Sequence, residues 1–252
     1  MNAISYLMDK KELVFLAALM GENMIIGVDD PFTGWLAEQV KDEWTMRCPQ
    51  MIVKGYLTVN NQGEVVISNN IQSMVQLCCS PDIWVALNDF EKTENNSITV
   101  IYFDRVKQTM AILKSNTQQE IINIDISEWQ QIGDQIIREL NIDQQIENRR
   151  ESFEISDEVF KKAIQTNKKV SASVTNNQSP RFFAALERAK TKSAITYSSS
   201  WPDNQAIKSL VIVADKNSLW RVEINAQSAN ELIRVVECDV VELTQTLNKQ
   251  IM

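Results

Sequence analysis

The chain has 252 residues, of which 44% are hydrophobic, and its formal net charge is −8 at neutral pH. This hydrophobic fraction is ordinary for a globular protein with a sizeable core, and the negative charge disfavours binding to nucleic-acid phosphates. No apolar run approaches the roughly 20 residues that span a bilayer, and residues 1–5 lack the basic and apolar regions of a secretory signal. We therefore expect a cytoplasmic protein without membrane insertion.

The N-terminal third predicts two helices followed by a hairpin. Apolar residues recur with helical spacing in residues 8–20, and Asp9 suits the N-cap. Asp30 followed by Pro31 predicts the start of a second helix that reaches Thr45, and Pro49 is expected to end the helical pattern. Residues 52–59 and 64–68 are strand-like, with a turn between them. This order is the outline of a winged-helix domain, although many small α+β units share it.

From residue 71 onward the same order of elements occurs twice. Equivalent elements begin 112 residues apart, as the pairs Ile83 and Ile195, Ile98 and Leu210, and Ser127 and Asp239 show. The first set comprises a helix at 71–77, apolar runs at 83–87, 98–103, 110–113 and 121–124, and a helix at 127–140. The second comprises a helix at 182–188, apolar runs at 193–201, 210–214, 219–224 and 232–236, and a helix at 239–251. An internal repeat indicates the architecture before any single motif does.

The repeat predicts an α+β protein of two similar subdomains. We place them at residues 1–142 and 153–252, packed as one compact unit. The polar and charged segment 143–152 joins them, because it lacks the apolar periodicity of the flanking elements.

Composition argues against an enzyme. The chain has no histidine, which removes the commonest general base and metal ligand and every Ser-His-Asp or Cys-His arrangement. Its 6 glycines form no phosphate-binding motif. A hydrolase that uses carboxylates alone lacks a positive signal, because no acidic pair stands at the right spacing. We expect no catalytic residues, no metal and no cofactor.

Cysteines and acidic residues have ordinary structural interpretations. The adjacent pair Cys78 and Cys79 could bind a soft metal, but no second pair completes such a site. We interpret the cysteines as reduced, buried thiols that act as small hydrophobes. Capping by Asp30 accounts for the acidic pair before Pro31, and Asp104 and Asp215 stand where a strand ends in a turn.

The order of elements across residues 1–252 resembles the EspG family, the cytosolic chaperones of type VII (ESX) secretion. A helical N-terminal segment gives way to Gly55-Tyr56-Leu57, and an extended hairpin follows around residues 91–97. The second copy ends in the strand at residues 218–222 and a C-terminal helix, and this strand is similar to the Gly-Arg-Trp-Leu type strand of the family. The resemblance implies a quasi-two-fold fold, with a central antiparallel sheet flanked by helical bundles.

The resemblance also implies a partner and a binding loop. Known members hold paired helical substrates in soluble form through the loop that joins two central strands, which corresponds to residues 91–97 here. That loop is polar, acidic and long, so it should protrude; two solvated hairpin tips are the alternative. Trp201, beside Pro202 at the second hairpin tip, is a candidate partner anchor. The candidate partner-binding residues are Glu91, Glu94, Asn95, Asn96, Trp201 and Asp203.

Two functions remain open at this point. The first is a non-enzymatic cytosolic chaperone or adaptor for a helical secreted substrate. The chain is rich in Asn, Gln and Ile where known members are rich in Ala, Arg and Gly, so we expect a distant relative with WXG-like or LXG-like substrates. The alternative is a winged-helix-like regulator that binds nucleic acid. Acidic residues outnumber basic ones on the helix before the hairpin, which argues against DNA.

Overall fold

The computed structural model describes residues 4–90, 97–116, 120–129, 131–143, 146, 150–166, 179–199, 207–223 and 232–251. The strands in these ranges are β1 (Ile4–Asp9), β2 (Leu57–Val59), β3 (Val65–Ile67), β4 (Ile83–Asp89), β5 (Ser97–Asp104), β6 (Thr109–Asn116), β7 (Ile121–Glu128), β8 (Ser152–Ser156), β9 (Thr191–Ser198), β10 (Lys208–Ala214), β11 (Leu219–Glu223) and β12 (Leu232–Glu237). The helices are α1 (Lys10–Leu19), α2 (Ala37–Val53), α3 (Asn69–Cys79), α4 (Ile132–Glu139), α5 (Asp157–Thr166), α6 (Pro180–Arg188) and α7 (Val240–Ile251). None of the described helices is both long and apolar enough to cross a membrane.

The chain forms two compact units. The first contains the described residues of 4–84 and 95–129, and the second those of 85–94, 130–199 and 204–252. Both units are mixed α and β with antiparallel strands, which confirms the α+β prediction at this level. The order helix, four strands, helix occurs as α3 to α4 and again as α6 to α7. The quasi-two-fold relation, the flanking bundles and the domain boundary at 143–152 stay predictions.

The first unit contains the antiparallel strand order β1, β7, β6, β5. Four successive residues of β5, from Val100 to Phe103, are fully buried. Because successive side chains of a strand point to opposite faces, both faces of β5 are covered here. The segment after α1 supplies part of that cover, since the Tyr102 hydroxyl donates to the carbonyl of Ile26.

The second unit contains the strand order β9, β10, β11, β12, β8, with α5 and α6 packed on its sheet. Its core includes Phe160, Phe182, Val213 and Trp220. α4 packs on α7 at close range, because a Cβ added to Gly133 would lie 2.6 Å from the backbone oxygen of Thr244. The small residue therefore sets how near these two helices can approach.

The predicted second helix is wrong in its bounds. It begins at Ala37 instead of Pro31, because the Asp30 carboxylate accepts a hydrogen bond from the Phe32 amide and makes a turn there. Gly34, with φ +82°, then prevents helical continuation. Pro49 does not end the helix, which runs on to Val53, so the strand predicted over 52–59 is reduced to β2.

Two strands were missed because their partners are remote in sequence. Residues 4–9 form β1, which pairs with β7 from Ile4↔Ile126 to Asp9↔Ile121. The sequence predicts a linker up to Ser152 and a helix over 153–164, whereas residues 152–156 form β8 on β12. Ser127, predicted to cap a helix, lies within β7, whose pairing with both β1 and β6 overrides the local capping signal.

The junction of β1 and α1 is held by a charged network that also attaches α2. Asp9 caps α1 in a capping box with Glu12, as the sequence predicted for the cap itself. Arg47 of α2 contacts Asp9 at 3.2 Å and also bonds Glu43, while Lys11 contacts Glu43 at 3.2 Å. The Glu43 and Arg47 side chains are only 11% and 14% exposed, so solvent screens this pair less than a surface ion pair.

A second set of contacts completes the attachment. Lys54, one residue past α2, binds the buried Glu12 carboxylate at 2.6 Å. The Phe15 and Trp44 rings meet edge to face with centroids 5.3 Å apart. The hydrogen bond from Arg47 is the largest influence on Glu43 and lowers its pKa, although burial opposes it.

Gly27→Ala tests the contact between the segment after α1 and β5. The new Cβ would stand 2.3 Å from Val100 Cγ2 at φ +78°. We expect a loss of about 1–2 kcal/mol from the left-handed backbone and about 1–3 kcal/mol from overpacking. Urea denaturation measures the total loss in the free energy of unfolding. Gly34→Ala, with φ +82° and nothing within 4 Å, is the control and should show the backbone cost alone; equal losses in the two variants would contradict the close approach.

Glu43→Gln tests the charged network through pH. Because the pKa of Glu43 is lowered in the folded state, its stabilisation is present above the unfolded value of about 4.3 and is lost as pH falls through the folded value. We expect the variant to be about 1–3 kcal/mol less stable at pH 7. Denaturant titrations from pH 7 downward should show this difference shrinking below about pH 4.

Glu158→Gln is the matched control, because Glu158 pairs with Lys162 one turn along α5 but in full solvent. We expect no measurable change in its stability at pH 7. A Glu43→Gln deficit that stays constant from pH 7 to pH 3 would show that the carboxylate charge does not stabilise the junction.

Candidate partner-binding site

All six sequence-predicted site residues lie outside the described part of the chain. They are Glu91, Glu94, Asn95, Asn96, Trp201 and Asp203. What the structure describes is the strands that carry them: β4 and β5 around the first loop, and β9 and β10 around the second. The site assignment therefore stays a prediction. The structure shows only how the strands that flank the two loops are held.

The strands on either side of the first loop are well anchored. At the end of β4, the Phe90 amide donates to the Lys192 carbonyl at 2.7 Å. β5 pairs with β6 along its whole length, from Ser97↔Asn116 to Asp104↔Thr109. Binding residues are commonly carried by loops on ordered strands.

The second pair of strands is anchored by a similar ladder. β9 pairs with β10 from Lys208↔Tyr197 to Ala214↔Thr191. The Tyr197 hydroxyl donates to Gln250 Oε1 at 3.1 Å, which ties β9 to α7. Burial, assisted by the charge of Glu223, raises the pKa of Tyr197, so this hydroxyl stays protonated at neutral pH.

A polar cleft of about 300 Å³ lies in the second unit. It is lined by Asn141, Ile142, Asp143, Lys190, Thr191, Ala214, Asp215 and Lys216. Asp215 Oδ1 accepts hydrogen bonds from the amides of Asn217 and Ser218, and Oδ2 lies 3.3 Å from Arg188. The prediction that this carboxylate holds a turn is confirmed, and the turn accounts for its burial.

Three of the four thiols are unsuited to nucleophilic chemistry. Cys78, Cys79 and Cys238 are buried, as predicted, and Cys48 is half-buried. Burial raises the pKa of Cys79 and of Cys238 to about 12, and that of Cys78 further. Because the thiolate is the reactive and metal-binding form, these groups are inert near neutral pH. Within the described ranges no group of three Cys, Asp or Glu residues could hold a metal ion.

An exposed stripe on α2 is a feature that sequence reasoning missed. In α2, all of whose residues are described, only Met51 is buried. Met46 is 56% exposed and Val53 88% exposed, and Pro49 between them is also exposed. The spacing of three and four residues places them on one side of the helix. This spacing was visible in the sequence, but Pro49 had been interpreted as a helix stop.

Comparisons with known proteins give a match in fold alone. No family model matches the chain, and no curated protein matches it in sequence. Among solved structures, it is similar to the Mycobacterium tuberculosis type VII secretion system chaperone EspG5 in complex with the PE25–PPE41 dimer. The TM-score is 0.62 at 12% identity, over 98% of this chain and 95% of the other. The chain therefore has the fold of this chaperone over nearly its whole length.

Proposed function

We propose that this protein is a non-enzymatic cytosolic chaperone or adaptor that keeps a helical type VII secretion substrate soluble. The observation that carries the proposal is the whole-length match in fold to EspG5, a chaperone solved with a bound dimer. Because both chains are covered almost completely, the similarity extends beyond a shared small motif. At 12% identity the substrate must be found by experiment.

The binding surface belongs, in this proposal, to the loop at residues 91–97. Glu91, Glu94, Asn95 and Asn96 would make polar contacts with the tip of a helical substrate. Trp201 and Asp203 of the second loop would add an aromatic anchor and a charge. The support is the anchoring of β4, β5, β9 and β10, since ordered strands lower the entropy cost of presenting a loop.

A paired helical protein of the WXG-like or LXG-like class is the expected substrate. EspG5 was solved with the PE25–PPE41 dimer, and by analogy a helical pair would bind here. Holding such a pair soluble requires binding and no bond chemistry, so neither a cofactor nor a metal enters the proposal. The inert, buried thiols of Cys78, Cys79 and Cys238 are consistent with this function.

Replacing residues 91–97 with an Asn-Gly turn tests the loop. Stability should change by only about 1 kcal/mol, because shortening seven residues to two is nearly two halvings of the loop, each worth about 0.6 kcal/mol of closure entropy. Co-purification with a co-expressed helical WXG-like or LXG-like protein should be lost. The control replaces residues 60–63, the turn of the β2–β3 hairpin, in the same way and should retain the partner. Retained binding in the 91–97 variant would move the interface elsewhere, whereas no co-purification by wild type with any tested substrate would contradict the chaperone function itself.

DNA binding is expected to be absent. The chain carries a net charge of −8, and the exposed residues of α2 include Glu38 and Asp42 against Lys41. At physiological salt we expect no affinity tighter than the non-specific range of about 10⁻⁴ to 10⁻⁶ M. A gel shift with random-sequence duplex DNA measures it, and a shift at nanomolar protein would favour the winged-helix alternative.

A further inference from the structure

The two sides of α2 are in very different surroundings. Its inner side packs on α1 through Trp44 and Phe15 and through the network of Arg47 and Glu43. On its outer side, Met46 and Val53 are mostly exposed. Exposed apolar residues scattered singly are ordinary, but here they share one face of one regular helix.

The outer stripe of α2 comprises Glu38, Asp42, Met46, Pro49 and Val53, all of them exposed. At 100° per residue these five positions fall within about 80° of one another around the helix. The apolar part, from Met46 to Val53, is about 10 Å long at 1.5 Å per residue. The acidic part occupies the N-terminal half of the same face.

The negative charges of Glu38 and Asp42 are not neutralised by the basic residues on the inner side of α2. Arg47 and Lys11 are already engaged with Asp9 and Glu43. Asp29 and Asp30, exposed in the segment before α2, add to the negative charge of the same unit. Lys41, also exposed, offsets one of these charges, and lysine or arginine of a partner at this end would meet the negative charge that remains.

Pro49 lies inside α2, in the apolar part of the outer stripe. A proline has no N–H, so it cannot donate the helical hydrogen bond to the carbonyl of Thr45. Thr45 is exposed, and its hydroxyl donates to the Lys41 carbonyl at 2.9 Å. One helical hydrogen bond to the Thr45 carbonyl is therefore missing beside the apolar residues.

We propose that the outer stripe of α2 docks an amphipathic helix of a partner protein, with an apolar stripe at one end and lysine or arginine residues at the other. The apolar end covers Met46, Pro49 and Val53, and the basic end faces Glu38 and Asp42. This helix-on-helix mode uses anchors at three- and four-residue spacing. The inference does not depend on the chaperone function or on the loop at residues 91–97.

The test measures binding of a fluorescent peptide to the full chain. The probe is a helical peptide of about 20 residues, which spans about 30 Å, with a leucine stripe and lysines at one end. The control peptide has the same sequence with glutamates in place of the lysines. We expect saturable binding of the lysine peptide in fluorescence anisotropy, and affinity at least about tenfold weaker for the glutamate peptide because like charges repel.

Neutral substitutions separate this face from the general acidity of the chain. Met46→Ser with Val53→Ser should weaken binding of the lysine peptide by about tenfold, since each loses apolar contact. Glu38→Gln with Asp42→Asn should weaken it and flatten its salt dependence. The control, Val106→Ser with Val241→Ser, removes apolar side chains that are 89% and 64% exposed elsewhere and should leave binding unchanged.

Three outcomes would overturn the proposal. Equal weakening by the control pair would mean that the peptide binds without regard to α2. No saturable binding of the lysine peptide would remove the basic helix as occupant. Concentration-dependent dimers in sedimentation that disappear in the Met46→Ser and Val53→Ser variant would assign the stripe to a second copy of this chain. Unchanged melting of every variant shows that the fold is intact.

Discussion

The ladder between β1 and β7 is the constraint on which the first unit depends. It joins the N-terminal strand to a strand beyond residue 120, so it closes most of the unit's chain into one loop, at an entropic cost that the pairing must offset. The ladder holds Asp9, at the end of β1, where it caps α1 and meets Arg47. α2 is thereby fixed through its inner side, while the residues of its outer stripe are exposed.

Local patterns predicted the elements whose partners are near in sequence. β5 and β6 are hairpin neighbours with strong apolar runs, and both runs were predicted from sequence. β1 and β8 were not, because each is short and pairs with a strand far along the chain, and the alternation in β8 rests on Phe153 and Ile155 alone. The second helix was misplaced because a side-chain turn at Asp30 and a positive φ at Gly34 outweighed the proline signal.

Of the candidate binding surfaces, one kind was predicted from the sequence and the other was not. Polar composition between apolar runs predicts loops at 91–97 and 201–206; apart from Ser97, which begins β5, their residues lie outside the described ranges, so the loop sites stay predictions. The outer stripe of α2 was not predicted, because α2 has apolar residues on both sides. Trp44 and Met51 face α1 or the interior, whereas Met46 and Val53 face solvent. Which side of α2 is buried depends on the tertiary contacts of Glu43 and Arg47. The spacing of apolar residues in the sequence does not reveal those contacts.

We propose that this fold serves to keep a helical secretion substrate soluble. The most direct measurement is co-expression with helical WXG-like or LXG-like proteins, singly and in pairs, followed by native mass spectrometry of the soluble fraction. We predict that at least one substrate is soluble only when this chain is present, and that the two form a complex that survives purification. Equal solubility of every tested substrate with and without the chain, and no complex in the spectrum, would contradict the claim.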